Sequence, residues 1–208
     1  MSVTLFIILI TGLVSYLAFQ NDELMEKLIH RPYVESKNNQ IYRWLTAGFL
    51  HADWTHLLIN LYVLYSFGAY VERWYKYEFG HLKGGVLYGL LYILSMVLAN
   101  LVTYQKHRLN SGFASVGASG AIAGILFAFI LFEPWNMLLL FFIIPIPAFL
   151  FAILYVVYSH YASRKSYHER IDHDAHLYGA LTGMAFTILL KPVLVHEFLQ
   201  KIIRDAPF

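Results

Sequence analysis

The chain has 208 residues, enough for one domain, of which 59% are hydrophobic and only 13% charged. A soluble domain is charged at about a quarter of its positions, so this composition indicates a membrane protein. The net charge of +2 argues against a nucleic-acid partner, and the lack of cysteine excludes disulfides, thiolate metal sites and a cysteine nucleophile.

Six uncharged blocks predict six membrane-spanning helices, because a span needs about 20 largely apolar residues. We place these spans at about 3–20, 54–72, 84–105, 115–132, 146–162 and 175–191. The first block lacks a basic start and a small-residue cleavage site, so we interpret it as a retained helix and not a signal peptide. The predicted fold is an all-α membrane protein in which residues 1–208 form a single domain.

Three connecting segments have features of their own. The first loop, residues 21–53, contains aromatic residues among its charges, which indicates a partly buried element at the membrane interface. Pro145 and Pro147 predict that the fifth helix starts near Ile146, after an extended connection over residues 133–144. The C-terminal tail, residues 192–208, is amphipathic, and we assign it no function.

Polar residues of three spans are expected at one membrane surface. Helices two, four and six run in the same direction, so their N-terminal ends share one face. His56 and Asn60 are four residues apart at the start of helix two, Ser119 begins helix four, and His176 lies in the first turn of helix six. Polar and ionisable residues are costly inside a span, so this coincidence predicts a functional site.

Glycines accompany these polar residues. Gly120 with Gly124, and Gly179 with Gly183, form two GxxxG motifs, which predict close approach of helices four and six. Gly117 and Gly120 flank Ser119 and leave room for a peptide backbone to reach its hydroxyl. Taken alone, such glycines most often indicate helix packing only.

The residue types suit acyl transfer by an activated serine. A serine needs a base, and His176 is the best-placed imidazole. The oxyanion donors would be the Asn60 amide, the His56 ring and the Ser119 backbone N–H, which lacks a helical partner in the first turn. Asp172 or Asp174 could complete a triad; we favour a dyad without metal or cofactor. The ligand-rich stretches DHDAH and HADWTH leave a transition-metal transporter as a rival.

Together these motifs resemble the rhomboid intramembrane serine proteases. The matching residues are His51, His56 and Asn60 in an H-x4-H-x3-N pattern, then GASG around Ser119, then AHxxGxxxG from Ala175 to Gly183. Tyr42 and Arg43 resemble the family's aromatic–arginine pair. The resemblance implies a six-helix bundle, a Ser119–His176 dyad, and an oxyanion hole of His56, Asn60 and the Ser119 amide. It also implies that Arg43 and His51 are structural residues of the first loop.

The implied reaction is hydrolysis of peptide bonds in or near transmembrane segments of membrane-protein substrates. The implied partners are those substrates and the lipid bilayer, with no obligatory protein partner and no cofactor. Residues 163–174 would form a mobile cap. The chain departs from the family at Ala123, where an aromatic ring usually stacks on the histidine; either another ring, such as Tyr178 or a phenylalanine of helix four, supports His176, or the dyad is looser. This departure leaves a catalytically inactive, segment-binding relative as an alternative.

The charge of the loops and the family resemblance predict opposite orientations of the chain in the membrane. Lys and Arg are more frequent in the first, third and fifth loops, which weakly places the Ser119 side in the cytoplasm. The family resemblance implies an extracytoplasmic site in a prokaryotic cell (inner) membrane, and we adopt that expectation because the first loop is long and expected to be folded.

Overall fold

The fold is built from α-helices. The computed structural model describes residues 2–140, 143–165 and 171–206. In these ranges the helices are α1 Val3–Phe19, α2 Asp22–Leu28, α3 Pro32–Asn38, α4 Arg43–Thr46, α5 Trp54–Val63, α6 Ala69–Phe79, α7 His81–His107, α8 Ser119–Phe132, α9 Ala148–Lys165, α10 His173–Leu190 and α11 Leu194–Arg204. A 3-10 turn, Ala47–Phe49, follows α4, and a π-helical turn, Leu64–Gly68, joins α5 to α6.

The N-terminus of α1 is held by a carboxylate from α6. The first N–H groups of a helix have no partner within it. Glu72 accepts hydrogen bonds from the backbone N–H groups of Val3 and Thr4, at 2.8 and 2.9 Å, and from the Ser2 hydroxyl at 2.8 Å. The predicted second span ended at residue 72, whereas the helix continues to Phe79. The charges there end the apolar pattern but not the helix, since Glu72 pairs with Lys76 one turn later.

The first loop is a folded element with its own polar interior. The Arg43 guanidinium is buried and donates to the carbonyls of Glu26 and Ile29, both at 2.7 Å. His30 and Glu35 form a buried pair at 2.7 Å, and the Trp44 indole donates to Glu35 at 2.9 Å. These contacts hold separate parts of the first loop to one another, in addition to the packing of the loop on the helices.

Helix α8 is the centre of the bundle. All of its residues from Gly120 to Phe132 are buried. It packs between α7 and α10, and glycine allows the backbones to touch: a Cβ on Gly179 would overlap the Gly120 backbone, and one on Gly183 would overlap that of Gly124. The two GxxxG motifs therefore lie directly against each other, as small residues do at close helix crossings.

The connection between α8 and α9 contains a β-hairpin, which the all-α prediction did not include. Strand β1, Met137–Leu140, pairs antiparallel with β2, Ile144–Pro147. Both prolines lie in β2, which has β1 as its single partner, and such an edge position tolerates the missing N–H. Residues 141–142 of the predicted extended connection lie outside the described residues. Helix α9 begins at Ala148, two residues after the predicted start.

Helix length and apolarity give a lower span count than the apolar blocks of the sequence. Within the described ranges, α7 is the one single helix long and apolar enough to cross a membrane. Helices α10 and α11 would add a second if taken as one span broken by a 107° bend, and α1 and α8 are apolar but shorter. Helix length alone therefore does not establish the six predicted spans.

Candidate active site

Ser119 and His176 are in direct contact. His176 Nε2 lies 2.7 Å from Ser119 Oγ, and both side chains are half-buried. In the tautomer that carries its proton on Nδ1, Nε2 accepts the hydrogen bond from the hydroxyl. The contact follows from the glycine crossing, because Gly120 packs against the Ala175 carbonyl, and these two residues adjoin Ser119 and His176.

The segment before Ser119 has a conformation that requires glycine. Gly117 has φ 127°, and a Cβ there would lie 2.9 Å from the His56 ring. Its N–H donates to the Ala47 carbonyl at 3.1 Å, and Ser115 exchanges backbone hydrogen bonds with His30. The first loop thus holds the segment that presents the serine.

The pair opens into a cavity of about 540 Å³. His56 and Asn60 line the same cavity as Ser119 and His176, together with Asn100. Asn60 is buried, and its Nδ2 donates to the His56 carbonyl at 3.1 Å, which uses one of its two hydrogens. The four polar residues predicted to share one membrane surface are therefore brought to one cavity.

The two nearby carboxylates have other partners. Asp172 is the N-cap of α10: its side chain accepts from the Ala175 N–H at 2.9 Å and from the Thr103 hydroxyl at 2.9 Å. Asp174 forms an ion pair with Lys106 at 2.6 Å. Neither carboxylate is hydrogen-bonded to the His176 ring in these contacts, an arrangement that suits a dyad better than a triad.

The ring that faces His176 comes from an unexpected helix. Tyr155 of α9 lies with its centroid 6.3 Å from that of His176, at an interplanar angle of 24°. Phe127 of α8 packs on Tyr155 at 5.5 Å, behind it. Tyr178, one of the rings that the sequence left open, is 40% exposed and has no ring contact with His176 among the described residues. No spacing in the sequence relates residue 155 to residue 176, so sequence reasoning missed it.

His51 lies next to the cavity but is turned toward helix α1. Its Nδ1 is 2.9 Å from Ser15 Oγ, and that hydroxyl donates its hydrogen to the Phe49 carbonyl, so Nδ1 is the donor in the pair. Burial lowers the pKa of His51 to about 3, and the neighbouring His56 ring, 4.9 Å away, acts in the same direction. His51 therefore links the first loop to α1, Arg43 links parts of that loop, and neither residue lines the cavity.

The candidate metal ligands are dispersed. Over residues 2–140, 143–165 and 171–206, no three or more His, Cys, Asp or Glu side chains form a group that could hold a metal ion. Asp53 of HADWTH caps α5 by accepting from the His56 N–H at 2.8 Å.

The segment predicted to form a mobile cap, residues 163–174, is described only in part, because residues 166–170 lie outside the described residues.

Comparison with known proteins shows which family this chain is similar to. A rhomboid domain model matches residues 38–193. Similar curated proteins include Rhomboid-like protein 11, chloroplastic, of Arabidopsis thaliana, 30% identical over 72% of this chain and 52% of that protein. Rhomboid protease GlpG of Haemophilus influenzae is 29% identical over 55% of this chain and 52% of its own length. Inactive RHOMBOID-like protein 8 of Arabidopsis thaliana is 33% identical over 49% of this chain and 26% of its own.

The chain spans about half or less of the length of these relatives. Because they include a chloroplast protein as well as a bacterial one, the comparisons do not support the expected prokaryotic inner membrane. The domain match covers most of the chain and includes every predicted active-site residue. The chain belongs to the rhomboid family.

Proposed function

We propose that the protein is an intramembrane serine endopeptidase that hydrolyses peptide bonds in or near transmembrane segments. The observation that carries the proposal is the 2.7 Å contact between Ser119 Oγ and His176 Nε2 at the wall of a cavity that His56 and Asn60 also line. A serine and a base in hydrogen-bond contact are the minimum apparatus for nucleophilic acyl transfer.

The chemistry runs in two halves. As Ser119 Oγ attacks the carbonyl carbon, His176 Nε2 takes the hydroxyl proton and then gives it to the leaving amine. In this proposal Asn60 Nδ2, the His56 ring and the Ser119 N–H donate hydrogen bonds to the oxyanion of the tetrahedral intermediate, and their lining of one cavity supports this role. Water then enters the cavity, is deprotonated by His176, and releases the acyl group from the serine. No step requires a cofactor.

The membrane arrangement is part of the proposal. We infer six spans, with α5, α8 and α10 entering from the same face and the cavity open toward the extracytoplasmic side. The substrate is a transmembrane protein. Residues exposed on the outer faces support burial in lipid, since Leu9, Tyr62, Ile153 and Leu189 are all more than half exposed.

A fluorophosphonate probe tests the chemistry. Purified protein in detergent should be labelled, whereas Ser119→Ala and His176→Ala should not. Ser66→Ala is the matched control. This serine is exposed in the π-helical turn Leu64–Gly68, is not among the residues that line the cavity, and its hydroxyl donates to the Tyr62 carbonyl one turn earlier. An unlabelled parent that still binds transmembrane peptide would indicate an inactive relative, and metal flux insensitive to Ser119→Ala would indicate a transporter.

Cysteine accessibility tests the topology, and the chain has no native cysteine to interfere. Ser111 lies in the loop before α8, and Tyr77, 89% exposed, lies near the end of α6. In intact cells, a membrane-impermeant maleimide should label Ser111→Cys and should reach Tyr77→Cys only after permeabilisation. Labelling of both from the same side would refute the span count.

A further inference from the structure

A second cavity, unconnected with the catalytic residues, lies among the last four helices. It has a volume of about 630 Å³, and every residue that lines it is apolar. The lining includes Phe127 of α8, Ala152 and Val156 of α9, Met184 of α10 and Phe198 of α11. This volume is within the range of about 300–1,000 Å³ typical of ligand clefts.

Helix α11 forms one wall of this cavity and has the character of an interfacial helix. It turns by 107° from α10, so it lies nearly perpendicular to it. Val195, Leu199 and Ile203 form an exposed apolar stripe with a spacing of four residues, while Glu197 and Arg204 lie on the opposite face. A helix of this pattern that crosses the end of a span lies along a membrane surface.

The end of α11 is fixed to the bundle by hydrogen bonds near the same level. The Trp135 indole donates to the Lys201 carbonyl at 3.1 Å, and the Lys201 ammonium donates to the Phe132 carbonyl at 2.5 Å. Tryptophan and lysine are the residues that anchor helices at the boundary of the hydrocarbon region. The cavity therefore lies on the hydrocarbon side of this boundary.

The rim of the cavity is continuous with the outward apolar surface of α9. Ile153 is 55% exposed, Val157 is 62% exposed and Leu199 is 52% exposed, and all three also line the cavity. Any group that covers this outer surface can pass into the cavity without crossing a polar side chain. Two turns of a helix about 10 Å wide occupy more than about 800 Å³, so the space suits a slender flexible chain better than a transmembrane helix.

We propose that this cavity is a binding site for an acyl chain of a bilayer phospholipid, with the headgroup at the level of α11. The proposal rests on the membrane embedding inferred under the proposed function, but not on the protease chemistry. Arg204, exposed in the last turn of α11, is a basic residue available to a lipid phosphate there, whereas the Lys201 ammonium is already bonded to the Phe132 carbonyl.

Photo-crosslinking from vesicles tests this site. The protein is reconstituted in phosphatidylcholine vesicles containing a phosphatidylcholine with a diazirine on its acyl chain, irradiated, and analysed by peptide mass spectrometry. We expect adducts on Met184 and Ile188, which are half-buried in the wall of the cavity, as well as on exposed surface residues. In Ala152→Phe, which places a ring in the cavity, adducts on Met184 and Ile188 should fall at least about fivefold relative to surface adducts.

Leu9→Phe is the control, because Leu9 is 69% exposed on α1; this variant should retain the Met184 and Ile188 adducts. Equal adducts on Met184 and Ile188 in Ala152→Phe and the parent would overturn the proposal. So would a parent protein in which Met184 and Ile188 carry no adducts while exposed surface residues do. Fluorophosphonate labelling of the same samples reports the serine chemistry separately, so failure of the protease proposal and failure of the lipid site are distinguishable.

Discussion

Substituting Gly179 by alanine should separate the serine from its base. A Cβ on Gly179 would lie 2.6 Å from the Gly120 carbonyl carbon and 2.9 Å from its Cα. Ordinary contact begins at 3.4 Å, so the carbon contact alone requires α8 and α10 to part by about 0.8 Å at this level, and the Gly120 carbonyl oxygen, which lies closer still, requires more. Ser119 precedes Gly120 and moves with it, which would lengthen the 2.7 Å contact with His176 to at least about 3.5 Å, the limit of a hydrogen bond.

A displacement of about 1 Å at reacting groups costs on the order of 10²-fold in rate, and we expect this loss in the fluorophosphonate labelling rate of Gly179→Ala. Gly89→Ala is the matched control, because a Cβ there would meet only Val3, at 3.9 Å. Gly183→Ala strains the same crossing one turn further from Ser119, so it should lower the melting temperature with a smaller effect on labelling. A folded Gly179→Ala protein that reacts at the parent rate would refute this reasoning.

Three further predictions concern side chains around the site. Replacing Tyr155 by leucine should slow labelling about fivefold, because an aromatic pair is worth about 1 kcal/mol, whereas Tyr155→Phe keeps the ring and should react within about twofold of the parent; equal rates for both variants would contradict a positioning role. Asn60→Ala should lower cleavage of a transmembrane reporter by roughly 10²-fold, or less if His56 shares the oxyanion, at unchanged melting temperature. His51 has a folded pKa of about 3, below its unfolded value, so its contribution to stability is complete above about pH 6.5 and is lost as the pH falls toward 3. At pH 5 this loss is about 2 kcal/mol, so unfolding measured at pH 7 and pH 5 should be less pH-dependent in His51→Gln than in the parent.

The sequence alone was enough to predict which end of each predicted span carries the polar residues. Long uncharged blocks must form helices in lipid because every backbone group needs an internal partner. The direction of each successive span then follows from its order in the chain, and this order puts residues 56, 119 and 176 at one end. The glycine spacing likewise predicts a close crossing, because one face of a helix repeats every three to four residues.

Several features depended on contacts between distant parts of the chain. The first loop is fixed by Arg43 on the carbonyls of Glu26 and Ile29, and no periodic pattern encodes such bonds. The predicted extended connection before α9 agrees with strand β1 over Met137–Leu140, but the prediction missed the pairing of this strand into a hairpin, since pairing depends on which segments meet.

The sequence alone determined which side chains were available for chemistry. A serine, a histidine and an amide can be placed at matching helix ends from residue identity and helical periodicity, without knowing the tertiary contacts. Only the tertiary structure decided what supports that chemistry. Tyr155 reaches His176 because α9 happens to pack beside α10, and Asp172 and Asp174 are occupied by Thr103 and Lys106 of α7. Side chains from separate helices compete for the same neighbours, and the outcome of that competition depends on the packed positions of all the helices together.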